Sequence, residues 1–465
     1  MAAPTAMIEL YRTLALEGMR RLLARLDRRP WSPTFGCFDR EYWHYKTLLE
    51  FPRADFQQCL WALALLYKTP FAGNELAARP VVRQWLRGGL EFWRRMRNAD
   101  GSLNEWYQNE RSFCSTAFTA AAVGETLLLL GEELDAPLRS ALVGSLEKTV
   151  GWLIRHQNLR VANQMAAGLL ALDCLRRLTG QESHAAAYRE WKAALLRLQH
   201  SEGWFSEYGG ADLGYGLLTL DLLAHLAQRT GEPDLSGSAA QLLAFLACFV
   251  APDGTVGGDY SSRHTVHCFP YGLEALAAAG SPVAWRVVPG VRSALRHNRV
   301  PTPLTADDTY AAYFYVNSFC LAACSRGLAE APPGPEPPPA ERLQSFPGAG
   351  LLVYSTAACH VVIDTRHGAW RMVDRQGNSA GDSGYVAIAR GGRRLSSQCG
   401  RGEAVARISA DGARTTVEVA VRFGVLDTSL PLARYAVLFK AFTRYVLRVP
   451  LLANWFGRAL KRAKV

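Results

Sequence analysis

The chain has 465 residues, 49% hydrophobic and 20% charged, the composition of an ordinary soluble globular protein of two or three domains rather than a biased chain. Its formal net charge of +11 points to an acidic partner, either a polyanionic glycan, nucleic acid or an anionic membrane surface, with a plainly solvated basic surface as the bland alternative. No Lys/Arg run interleaved with aromatics stands out, so nucleic acid is set aside as a partner.

In chain order, the first thirty residues place Arg between Leu at helical spacing and read as an amphipathic helix, not a secretory signal. An aromatic stretch, Trp31 to Phe51, includes Trp43 and His44. Asp55 to Lys68 has apolar residues at helical spacing, with Asp55 as its cap. Helices follow over Pro80–Arg97, Phe113–Leu130, Asp135–His156, Ala162–Leu178, Glu182–His200, Leu213–Arg229 and Leu235–Phe249, then two shorter ones, and a Tyr-rich one over Asp307–Arg326. Helix, short turn, helix, long polar-aromatic loop recurs roughly every 45–55 residues. The long loops are Asn98–Ser112, Gln157–Gln164, His200–Gly216 and Ala251–Gly272. This is the pattern of stacked helical hairpins, with the long loops at one end: an α/α toroid, or an open α-solenoid.

APPGPEPPPA at Ala331–Ala340 cannot continue a helix and marks a boundary. Beyond it, β-branched runs split by Gly and Asp-Gly turns read as antiparallel strands. The expected class is multidomain α and β: an α/α toroid over 1–330, a linker over 331–340, a small antiparallel β-sandwich over 341–428 and a basic amphipathic tail over 429–465. That tail sets Lys and Arg beside Leu, Phe and Trp, which reads as an interfacial helix capable of peripheral membrane contact. Ten cysteines form no CxxC pair and lie mostly in apolar patterns, as buried thiols in a reducing compartment do. With no signal and no stretch apolar enough to span a bilayer, a cytoplasmic location is expected. His360, Asp364 and His367 lack tight ligand spacing, so no metal and no cofactor is expected.

The densest chemistry lies in EGWFSEYGGADLGYG, Glu202–Gly216, with Trp204, Phe205, Tyr208 and Tyr215, three acidic residues and five Gly in one connection. Asp212 is placed to cap the next helix, which puts Tyr215 in its first turn. The bland reading is an aromatic corner with a cap. The sharper one is a sugar platform with a catalytic tyrosine.

Four stretches carry a resemblance: DGSLNEWYQNERSFCSTAF at Asp100–Phe118, VANQMAAGLLAL at Val161–Leu172, GWFSEYGGADLGYGLLTLDLLA at Gly203–Ala224 and GGDYSSRHTVHCFPYGLEAL at Gly257–Leu276. In order, and with WRMVDRQGNSAGDSGYVA beyond the linker, they resemble the heparinase II/III-like polysaccharide lyases. The resemblance implies β-elimination on a uronic-acid-containing glycan. That reaction needs a base for the proton α to the carboxylate, donors that neutralise the carboxylate, and an acid for the leaving oxygen. Carried over, Tyr215 matches the family tyrosine and Asn163 its neutralising asparagine. Gln164 stands where many members have His, and it donates but cannot act as a base. Arg263, His264 and His267 are the available replacements, with Tyr260 beside them. Glu105, Tyr107, Trp204 and Tyr208 are candidate sugar contacts, with aromatic packing between hairpins as the alternative for the rings. The competing reading is a non-catalytic or biosynthetic glycan-binding protein of a bacterial surface-polysaccharide system. A glycoside hydrolase would need two carboxylates across a cleft, and Glu105, Glu207 and Asp212 keep that open.

Overall fold

Helical hairpins with alternating short and long connections build the first two-thirds of the chain, and antiparallel strands follow them. The computed structural model describes residues 4–44, 50–325, 341–400, 405–411, 414–426 and 432–463. The described elements form two compact units.

The first unit comprises residues 1–197, 302–328 and 431–465. Its leading helices are α1 (Pro4–Leu23), α2 (Arg40–His44), α3 (Cys59–Lys68) and α4 (Pro80–Met96). Then come α5 (Phe113–Leu130), α6 (Ala136–Arg155), α7 (Ala162–Thr179) and α8 (Glu182–Leu196). One row of helices packs side by side, α3 on α5 and α5 on α7, while α4, α6 and α8 pack outside it. The rows differ in sequence as this requires. The outer helix α4 buries Val82, Leu86, Leu90 and Trp93, one stripe at helical spacing, and turns Arg83, Arg87 and Arg94 to solvent. The inner helix α5 is buried nearly all round, and its Thr119 and Thr126 hydroxyls donate to the carbonyls four residues back at 2.6 and 2.7 Å. By length and composition Phe113–Glu133 is apolar enough to cross a membrane, contrary to expectation, but 78% of its apolar window is buried within the protein, as in a core helix. Close approach of α7 and α8 depends on Gly168. A Cβ there would meet the Trp191 ring at 2.4 Å, and the same indole donates to the Met165 carbonyl at 3.0 Å.

The second unit comprises residues 198–301 and 329–430. It holds α9 (Leu213–Thr230), α10 (Pro233–Ala247), α11 (Tyr271–Ala278) and α12 (Pro282–Arg296). Its main sheet is a meander of β1 (Arg342–Phe346), β2 (Leu351–Ser355), β3 (Cys359–Asp364), β4 (Trp370–Asp374) and β5 (Ser379–Asp382), each strand antiparallel to the next. β6 (Val386–Ile388) and β7 (Arg394–Ser396) pair, as do β8 (Val405–Asp411) and β9 (Arg414–Ala420), while β10 (Gly424–Val425) joins β7. In β3 the side chains of His360, Val362 and Asp364 point inward and their neighbours outward, the two-residue period that marked these segments in the sequence. The first unit is completed by α13 (Asp308–Tyr310), α14 (Val316–Cys324), α15 (Leu432–Ala441) and α16 (Pro450–Ala463). There α1 packs on α14, with Tyr11 edge-on to Phe319 at 6.1 Å.

Helices followed by antiparallel sheet are the class expected; the compact units also divide within the helical part, at 197/198 and 301/302, and the Pro-rich linker lies outside the described residues. The hairpins from residue 198 onward belong with the sheet because they share its contacts. Phe346 of β1 sits 5.1 Å from Phe245 and 5.4 Å from Phe249, and Glu202 accepts the Gly348 and Ala349 amides at 2.8 and 3.0 Å. Arg371 of β4 donates to the Gly257 carbonyl and to Thr255, both at 3.0 Å.

Two local expectations also change. Asp55 does not cap α3. It lies in a 3-10 turn, Asp55–Gln58, 1% exposed, with its carboxylate on Arg53 at 2.6 Å. The segment expected as one helix over Asp307–Arg326 is α13, a π-helical turn at Ala311–Tyr315 and α14, with Asp307 as the cap; Arg326 lies outside the described residues. The wider turn seats Tyr313 in the interior, where its hydroxyl meets the Cys114 thiol at 2.8 Å. None of the ten cysteines forms a disulfide.

Candidate functional site

In the second unit one carboxylate ties two long loops together. Asp212 caps α9 as expected, accepting the Tyr215 amide at 3.0 Å with Oδ1. The Thr265 hydroxyl also donates to Oδ1. Oδ2 accepts the Ser261 hydroxyl at 2.8 Å and the Arg263 and Thr265 amides at 3.0 and 3.4 Å. A carboxylate with this many donors, 3% exposed, fixes the loop Ser261–Thr265 against the head of α9. Gly214 makes room for it, because a Cβ there would sit 2.3 Å from the Thr265 hydroxyl and 2.8 Å from the His267 amide.

Around this clamp the side chains assigned to chemistry come together in part. Tyr215, half-buried in the first turn of α9, meets the His267 ring edge-on at 5.5 Å and 61°. Arg263 lies 4.5 Å over the ring of Tyr208, and both are exposed. Tyr208 and His264 hold left-handed backbone angles, φ 57° and 55°, so the loop places both by turns that non-glycine residues seldom adopt. His264 is exposed on its turn, and it is His267, three residues on, that packs against Tyr215.

Other assigned residues face inward. Trp204 is 9% exposed, stacks on His200 at 4.6 Å and donates to Glu202 at 2.8 Å, so it braces the loop rather than offering a sugar face. Tyr260 is buried, which pushes its phenol up to about 12, while Arg371 acts in the opposite direction. A group so placed does not serve as a base near neutrality. Tyr260 borders a cavity of about 380 Å³ with Asp259, Trp370, Arg371, Asp382 and Ser383, a size within the range of small-molecule pockets. In the sequence the stretch around Trp370 carries only the family-like pattern and no site residue. Ser261 and Thr265, which hold the loop, were likewise missed, although the GDYSSRHT run was the signal. Among the former metal candidates, His360 pairs with Ser355 at 2.8 Å and His367 with Asp364 at 2.7 Å.

In the first unit Asn163 and Gln164 occupy the first turn of α7, 3% and 5% exposed, with Val161 as the cap residue. Asn158 donates to the Gln164 side-chain oxygen at 2.9 Å. Glu105 is turned inward and accepts the Ser112 and Ser115 hydroxyls at 2.8 and 3.0 Å, which makes it a loop support rather than a sugar contact. Tyr107 packs edge-on to Phe456 of α16 at 5.8 Å, and burial pushes its phenol up to about 12.

Glu110 accepts the Glu105 and Trp106 amides at 2.8 and 2.7 Å. Burial, with the Glu105 charge adding to it, pushes the Glu110 carboxyl up to about 7. Between the ordinary carboxylate range and that value the folded chain binds the proton and the unfolded chain does not. The contribution of Glu110 to stability therefore falls as pH rises through this window. Glu110→Gln is expected to be near neutral in acid and to stabilise by about 1–2 kcal/mol at about pH 8, as read by urea unfolding at the two pH values. Equal effects at both would show that Glu110 titrates normally.

No protein-family model matches the chain, and neither does any curated protein. Solved structures do. The chondroitin AC lyase of Streptomyces coelicolor A3 in complex with chondroitin sulphate is 13% identical, with a TM-score of 0.48 over 77% of this chain and 50% of that one. A mutant of the same enzyme is 15% identical, with a TM-score of 0.46 over the same shares. The chain thus spans about half the length of the structures it matches. They are structures of a polysaccharide lyase.

Proposed function

We propose that the chain is a polysaccharide lyase of the heparinase II/III-like kind, cleaving a uronic-acid-containing acidic glycan by β-elimination. The observation that carries the reading is the head of α9: a half-buried Tyr215 with His267 against its ring, beside a loop that presents Arg263 to solvent. Arg263 holds the uronate carboxylate through its planar fork of donors, which suits the charge that develops there. Tyr215, its hydroxyl proton first given up to solvent, removes the C5 proton as the phenolate, the electron pair forms the C4–C5 double bond, and the C4–O bond breaks. The leaving oxygen takes a proton from His264 or His267. The resemblance alone implies carboxylate donors at Asn163 and Gln164, and Asn163→Ala tests that implication separately from the site at the head of α9. Gln164 in the place of a histidine is what favours the alternative, a glycan-binding protein of a surface-polysaccharide system that binds without cleaving.

Mass spectrometry of the products decides between cleavage chemistries. A lyase leaves an unsaturated non-reducing end, lighter by one water than the fragment a hydrolase releases. Saturated fragments from a uronate polysaccharide would replace the lyase reading with a hydrolase, and binding without fragments would leave the non-catalytic one.

A further inference from the structure

The segment from residue 428 to 465 contains eight Lys or Arg and no Asp or Glu. In the structure its inner side is committed. Leu447 and Ala453 are buried, Phe456 lies against Tyr107 and Phe442, and Arg111 donates to Asn454 at 2.8 Å. Asn109 donates to the Leu447 carbonyl at 3.0 Å, which fastens the turn between the two helices. The outer side is not covered. On α15, Val437 and Leu438 are 83% and 68% exposed, and on α16, Leu451 and Trp455 are 78% and 65% exposed. Tyr445 and Leu452 are exposed as well, as are Lys440, Arg444, Arg448 and Arg458. On α16 the spacing separates the two sides: Ala453 and Gly457 turn inward one helical turn apart, Leu451, Trp455 and Arg458 outward.

We propose that this surface docks on a lipid bilayer rich in anionic lipid, with α15 and α16 lying in the interface. An apolar surface of this size exposed to water marks an interaction site. Its aromatics and aliphatics need an apolar slab to enter, and its cations, of which Arg444 has the Glu50 carboxylate beside it at 3.7 Å, need an anionic plane above that slab. A polyanionic glycan supplies the charge and leaves Val437, Leu438 and Leu451 uncovered. A second copy of this chain supplies apolar area but brings the same cations face to face across the symmetry axis. The proposal goes beyond the lyase reading and does not depend on it, since none of these residues belongs to the catalytic set.

The test is cosedimentation of the full chain with phosphatidylcholine vesicles and with mixed phosphatidylcholine–phosphatidylglycerol vesicles. The wild type is expected on the mixed vesicles only, and to be released by salt. Leu451→Glu with Trp455→Glu, and separately Arg448→Gln with Arg458→Gln, are each expected to weaken binding about tenfold or more, with the circular dichroism melt unchanged. No binding to the mixed vesicles overturns the proposal. So does charge-only attraction, in which the Glu pair stays bound while the Gln pair is released. A wild-type dimer in analytical ultracentrifugation that the Glu pair dissociates overturns it in favour of the second copy.

Discussion

Tyr215→Phe is expected to cut the rate of β-elimination by roughly 10²–10⁴-fold while KM changes little, the loss typical of removing a positioned acid–base group. The substitution removes one oxygen and keeps the ring. The edge-on contact with His267 at 5.5 Å and the Asp212 cap on the Tyr215 amide therefore both survive. A structural tyrosine at this place would tolerate the change with unaltered turnover, which makes the variant selective for chemistry. Steady-state kinetics of wild type and variant on the same uronate polysaccharide, with matched melts as the fold control, separate the two cases.

Asp212→Ala is expected to destabilise the second unit by about 3 kcal/mol. The cap alone contributes about 1 kcal/mol, and hydrogen bonds to a charged acceptor contribute roughly 1.5–3 kcal/mol each, without simple additivity. The removed carboxylate leaves the Ser261 hydroxyl and the Arg263 and Thr265 amides to find other partners. Asp212→Asn retains one cap acceptor and loses the charge, so about half that loss is expected. Hydrogen exchange localises the effect: the Arg263 and Thr265 amides should lose protection in Asp212→Ala before the core of α9 does. Uniform loss along α9 instead would mean that the carboxylate only caps the helix.

Helices and caps were legible because their signals are local. Phe113–Leu130 is a helix over the span its pattern implies, and Asp212 accepts the amide three residues on as its position before an apolar-periodic run implies, whereas Asp55, with the same signal, lies in a 3-10 turn. What was not legible came from contacts between distant segments. The sequence marks Asp212 as a cap, and nothing in it says that the second carboxylate oxygen holds a loop some fifty residues away. His264 and His267 lie in a loop without periodicity, so the choice between them depended on a turn with a left-handed residue at His264. Glu105 and Tyr107 read as candidate sugar contacts because a polar-aromatic loop looks the same whether it faces a ligand or turns toward its own serines, as Glu105 does, and toward α16, as Tyr107 does. Arg371, on a strand with no site reading of its own, reaches the Gly257 loop through sheet docking that only the fold reveals.

Ultraviolet absorbance during incubation of the purified chain with a panel of uronate polysaccharides tests the central reading most directly, because the unsaturated uronate left by β-elimination carries a conjugated chromophore that its substrate lacks. A time-dependent rise on at least one acidic glycan, lost in Tyr215→Phe, is the predicted result. A flat trace on every member of a panel that the chain demonstrably binds would contradict it.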